Sequence, residues 1–169
     1  MRKLLFLLTL FAATSLFAAD EMKKLDFLVG EWKGEAWFQM GPKREYVYQT
    51  ESVKPKLGGK VLLVEGLGKR KNENGSIGDV VHDALAVLSW DESKNTYRFS
   101  TYTAQYGAME TTLDVTAPNV GVWSMDVPGG KMRYTMRLTE KGEWNEVGEF
   151  TRDNGANWMK FFEMTLSKK

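Results

Sequence analysis

The chain has no cysteine and a single histidine among its 169 residues. Without thiols there is no disulfide to staple the fold, no thiolate nucleophile and no lipid attachment through an N-terminal cysteine. With only His82, a site built on two imidazoles is excluded, and so is a Cys/His zinc centre; no metal site is expected. Neither sign of charge prevails, with 23 Lys and Arg against 22 Asp and Glu, so no basic surface is available to attract nucleic acid. Helical spacing is also scarce. From Gly30 onward no run of ten or more residues carries it, which argues against βαβ units and a parallel sheet. There is no Gly-x-Ser-x-Gly elbow, phosphate-binding loop or dinucleotide fingerprint. No catalytic constellation is visible, and the reading is that of a protein that is not an enzyme.

What is present begins with a basic start at Arg2 and Lys3, an apolar stretch from Leu4 to Phe17, and Ala18-Ala19. This is the pattern of a secretory signal peptide over residues 1–19, too short to remain as a membrane-spanning helix. Cleavage near Ala18/Ala19 would leave one domain, residues 20–169, in the periplasm or outside the cell, with a charge balance of about −1 and no stable membrane insertion.

Residues 20–29 suit one or two helical turns, with Met22, Leu25, Phe27, Leu28 and Val29 on one side. After Gly30 the period changes to two. Trp32, Gly34, Ala36, Phe38 and Met40 share one face and Glu31, Lys33, Glu35 and Gln39 the other, with Trp37 as an apolar exception on the outside. Nine further stretches follow: 44–53, 60–68, 79–90, 97–105, 108–115, 120–127, 131–139, 143–152 and 157–167. The links carry turn chemistry such as Pro128-Gly129-Gly130 and Asp153-Asn154-Gly155. The clearest strand alternates Met132, Tyr134, Met136 and Leu138 with Lys131, Arg133, Thr135 and Arg137. The fold expected is all-β: a closed up-and-down antiparallel barrel of about ten strands with a short N-terminal helical turn, a two-sheet sandwich being the alternative.

Gly30-Glu31-Trp32, preceded by Leu25 to Val29 and followed by the meander, resembles the start of calycin barrels: lipocalins, fatty-acid-binding proteins and nitrobindin-like haem barrels. Leu25 to Gly34, together with Leu57 to Leu62 and Leu88 to Tyr97, is most similar to a bacterial family of lipocalin-like domains of unknown function. The resemblance implies that Trp32 closes one end of the barrel beneath a basic side chain near the last strand, a role for Lys160. The haem-binding members hold iron through a histidine near the C-terminal strands. Residues 158–169 contain none, which leaves only Met159 or Met164, so haem is disfavoured.

Strand parity places His82 in the lumen beside Ala84 and Ala86, and away from Asp83, so the two form no acid/base pair. The candidate lumen residues are Phe38, Met40, His82, Tyr102 and Met132, together with Tyr134, Met136, Trp144 and Phe162. Glu146, between Trp144 and Phe150, is expected at a solvated mouth. Gly34, Ala36, Ala84 and Ala86 are expected to leave unfilled volume, and a pocket of roughly 300–1,000 Å³ would suit a small, largely apolar ligand that is carried, buffered or sensed. One alternative is an envelope scaffold that binds a protein partner through Trp37. The other is a haem-binding barrel.

Overall fold

Alternation of β-branched and aromatic residues with polar ones along short segments buries one face of each strand and wets the other, and such a sheet gains most by closing on itself. In the computed structural model, which describes Ala18 and residues 20–169, it does so. The signal peptide expected over 1–19 lies outside the described residues except for Ala18.

Ten strands form the barrel: β1 (Gly30–Phe38), β2 (Glu45–Lys56), β3 (Val61–Lys71), β4 (Ile77–Asp91), β5 (Thr96–Thr103), β6 (Gly107–Ala117), β7 (Val120–Val127), β8 (Gly130–Leu138), β9 (Trp144–Thr151) and β10 (Met159–Lys168). Each pairs antiparallel with its neighbours in the chain, and β1 pairs with β10 to close the ring. The sandwich alternative is thereby excluded. Among the described residues no helix is long and apolar enough to cross a membrane.

The two ends differ. Residues 20–23 are helical and Asp26–Leu28 form a 3-10 turn, and together they lay Met22, Leu25 and Leu28 across one end, each at most 2% exposed. Beneath them sit Trp32, Leu62, Leu88, Leu113 and Leu166, also at most 1% exposed. Two hydrogen bonds tie this plug to the barrel: the Trp32 indole Nε1 donates to the Leu28 carbonyl at 2.8 Å, and the Tyr97 hydroxyl to the Glu21 carbonyl at 2.8 Å. The opposite end carries no such plug among the described residues.

The register also explains Gly34. A Cβ there would stand 2.1 Å from the Thr165 carbonyl oxygen of β10, so glycine at this position lets two backbones approach. Gly34 therefore opens no room for a ligand, and Ala36 and Ala86 are 5% and 7% exposed within the core. The expectation of free volume beside these three residues is corrected, because neighbouring side chains and backbone occupy it. Ala84, the fourth, is half-buried.

Candidate functional site

At the unplugged end the inward side chains are only partly covered. Phe38, His82, Ala84, Met132, Tyr134 and Phe162 all face the lumen by register yet remain half-buried. They line a mouth. Its wall is held by ring contacts: Trp123 stacks on Tyr134 at 4.2 Å between centroids, Phe99 meets Trp123 edge-on at 5.2 Å, and Tyr134 is flanked by Phe161 at 5.7 Å and Phe162 at 5.9 Å. A register shift in β10 between Lys160 and Phe162 turns consecutive phenylalanines toward the same tyrosine.

Below this aromatic wall lies a polar floor. Gln49, Glu51 and Glu146 are buried, at 5%, 8% and 9% exposure. Gln49 Nε2 donates to Glu51 Oε1 at 2.7 Å, the two side chains standing side by side on the inner face of β2. Their room comes from the next strand: a Cβ at Gly66 would lie 2.7 Å from Glu51 Oε1, and one at Gly68 would lie 2.5 Å from Gln49 Oε1. Glu146 on β9 faces the indole N–H groups of Trp123 and Trp144, neither of which reaches a partner in regular hydrogen-bond geometry. Those two indoles nonetheless lie close enough to favour the ionised form of Glu146.

Burial dominates the electrostatics. It pushes the Glu146 carboxyl up to about 8, with the Glu51 charge adding to the effect and the Trp144 and Trp123 indoles opposing it. Glu51 is raised to about 7 by burial, against the hydrogen bond from Gln49. Tyr134 is raised well above the usual phenol range by burial, then by Glu146 and Tyr106. His82 is lowered by burial, with Asp83 opposing, which favours the neutral imidazole. No lysine or arginine acts on either carboxyl. Glu146 is therefore not at a solvated mouth, as its sequence context suggested, because β9 places it below Tyr134 and Gly148 and beside Met136 and Met164.

The remaining sequence candidates divide. Met136 and Trp144 face inward but are 4% exposed and belong to the packed half, where Trp144 meets Trp32 edge-on at 5.9 Å. Met40 lies past the end of β1 at 70% exposure, so it is a loop residue and does not line the lumen. Tyr102 is 51% exposed and stands on the outer face of β5, where its register partner is Ala108 and the inward positions are Phe99 and Thr101. Lys160 is exposed and pairs with Glu163 at 3.1 Å. The basic group over Trp32 is instead Lys168, its Nζ 5.0 Å from the ring centroid, because the register sets Trp32 opposite Lys168. The outward Trp37 carries the Arg44 guanidinium over its ring at 3.8 Å.

Sequence reading missed Glu51, Gln49 and Trp123 as site residues. Their signal was available: Gln49 and Glu51 share inward parity with Val47 and Val53 on a strand whose neighbour carries Gly66 and Gly68 at matching positions. Two clefts outside the barrel, of about 510 and 270 Å³, flank Trp90 at the plugged end and do not reach this floor.

Neither Met159 nor Met164 is placed to hold a haem group. Met159 stands 57% exposed at the rim, and Met164 is 4% exposed in the core opposite Ala36 and Glu146, so neither is presented to an open face as an axial ligand. No group of three or more His, Cys, Asp or Glu among the described residues is placed to hold a metal ion.

No protein-family model matches this chain, and no curated protein does. Among solved structures it is similar to Rv2717c from M. tuberculosis, with a TM-score of 0.60 and 12% sequence identity over 88% of this chain and 96% of that one. That likeness is one of fold alone, a barrel shared by two chains of dissimilar sequence.

Proposed function

We propose that this protein is a calycin-type barrel, exported after removal of residues 1–19, that holds a small, largely apolar molecule in the mouth opposite its N-terminal plug. The observation that carries the reading is the asymmetry of the two ends. Phe38, Met132, Tyr134 and Phe162 point into the barrel yet stay partly exposed, an arrangement that costs hydrophobic burial unless something else covers those rings. A half-apolar funnel with a few convergent polar groups at its base is the usual form of a small-molecule site. The role is that of a carrier, buffer or sensor of its ligand.

The test is a titration of the mature protein with Nile red, a neutral apolar dye, followed by dye emission and by tryptophan quenching through Trp123. Saturable 1:1 binding is expected. Ala84→Trp, which adds a large ring at a half-buried position facing the mouth, should abolish it, and Tyr102→Ala on the outer wall should leave it unchanged. Absence of saturable binding, or binding indifferent to Ala84→Trp, overturns the proposal. Export is tested separately by N-terminal sequencing of the envelope protein, which should begin at Ala19 or Asp20.

A further inference from the structure

Two buried carboxyls in one barrel, with no cation inside to meet them, need a physical account. Every ion pair among the described residues is on the outer surface or at the barrel ends, and neither Glu51 nor Glu146 has one. Burying a carboxyl whose donors are a single amide, as at Glu51, or two indoles short of regular hydrogen-bond geometry, as at Glu146, is costly, and a packed core does not require it. The Trp144 indole N–H, on a side chain 4% exposed, also lacks a regular partner beside Glu146. A single positive charge would bring all of these groups into one hydrogen-bonded set. With a positive charge seated in the lumen, Glu146 would ionise, the Trp123 and Trp144 N–H groups would close onto its carboxylate, and Glu51, held upright by Gln49, would supply a second acceptor.

We infer that the lumen floor formed by Glu146, Glu51 and Gln49 selects an organic ammonium group, so that the ligand is a primary amine carrying an apolar tail. This rests on the reading of the mouth as a ligand site and adds the chemistry of the head group. The aromatic wall suits such a molecule at both ends, since ring faces attract cations and bury alkyl or aryl tails. An anionic head would gain no opposite charge from this floor, since it keeps both carboxyls protonated. Binding also moves a proton: below the raised pKa values of the pair, an incoming ammonium keeps its own protons and displaces one from a carboxyl to solvent.

The experiment compares 1-octylamine, 1-octanol and octanoate, and the matching 3-phenylpropyl series, by displacement of Nile red and by calorimetry on the mature protein. The amines should bind at least about tenfold tighter than the alcohols, with the acids weakest. Calorimetry near about pH 6.5 in two buffers of different ionisation enthalpy should report roughly one proton released per amine, and none per alcohol. Glu146→Gln preserves shape and should erase both the preference and the proton release, and Glu51→Gln should weaken the preference. Alcohols or acids binding as well as amines, or an amine preference that survives both substitutions, overturns the inference. Should Nile red bind and the head groups go undistinguished, the ammonium assignment alone falls. Should neither Nile red nor any member of the series bind, the ligand site falls with it.

Discussion

The plugged and open ends of the barrel are made from the same strands and the same residue types, yet they are packed to different standards. At the plugged end Leu25, Trp32, Leu113 and Leu166 are fully buried, and the segment ahead of β1 covers them. At the open end rings of similar size, among them Phe38, Tyr134 and Phe162, keep solvent contact. Apolar burial stabilises a fold by about 25 cal/mol per Å², so the first end holds the barrel together and the second forgoes part of that gain. Equal sequence hydrophobicity at the two ends therefore serves two purposes, and the N-terminal plug decides which end serves which.

Truncating one ring at each end is the strongest way to test that division. Trp32→Ala removes a fully buried indole together with its hydrogen bond to Leu28, and it also leaves Trp144 without its edge-on partner. It should cost about 3–5 kcal/mol, seen as a large fall in the denaturant midpoint. Phe162→Ala, from the half-buried mouth, should cost about 1–2 kcal/mol and leave the fold intact while weakening Nile red binding. Equal losses at the two ends would show that the mouth is core after all.

A middle-sized effect separates the floor from both ends and depends on pH. Glu146 has a folded pKa of about 8, above its ordinary value of 4.5. The folded state thus holds a proton that the unfolded state releases, so stability falls as pH rises from about 4.5 to about 8 and then levels off. Glu51, raised to about 7, acts in the same direction. Glu146→Gln should leave stability near that of the parent at about pH 5 and exceed it by roughly 4 kcal/mol at about pH 9. Urea unfolding at the two pH values measures this, and a pH-independent difference would refute it. The comparable substitution at the surface, Glu163→Gln, breaks only an exposed pair with Lys160 and should change stability by less than about 1 kcal/mol at either pH.

The barrel was legible in the sequence because alternation with period two and turn residues at regular intervals leave few other folds. The ten predicted strands correspond in order to the ten observed, with ends shifted by one to a few residues at most, as with Asp79 for Ile77 in β4. The lumen was legible only where parity held through to the end of a strand. Met40 failed because β1 stops at Phe38, and Tyr102 because its neighbours Phe99 and Thr101 set the inward parity of β5. Lys160 failed because which basic side chain meets Trp32 is fixed by the β1–β10 register, a non-local quantity that a single strand does not encode. From sequence alone Glu146 reads as solvated, since a lone carboxylate is normally wet, and only the height of β9 within the barrel shows otherwise.

The smallest expected effect asks whether the floor is a built feature, and it compares two glycines. At Gly34 a methyl group would meet the backbone of β10, with the Thr165 oxygen 2.1 Å away, and no side-chain change can relieve that. At Gly66 the obstacle is the Glu51 carboxylate itself, 2.7 Å from the added carbon. Gly66→Ala should therefore cost only about 1–2 kcal/mol, by forcing Glu51 away from Gln49. Glu51→Ala should remove the clash, so that the double variant is more stable than the sum of the single losses predicts, whereas Gly34→Ala should gain nothing from it. Such a coupling, measured by a double-mutant cycle, would mean that β3 carries glycine at this position to make room for a carboxylate. Strict additivity would mean that Glu51 can move aside freely, and a carboxylate that moves freely cannot hold a ligand's head group in place.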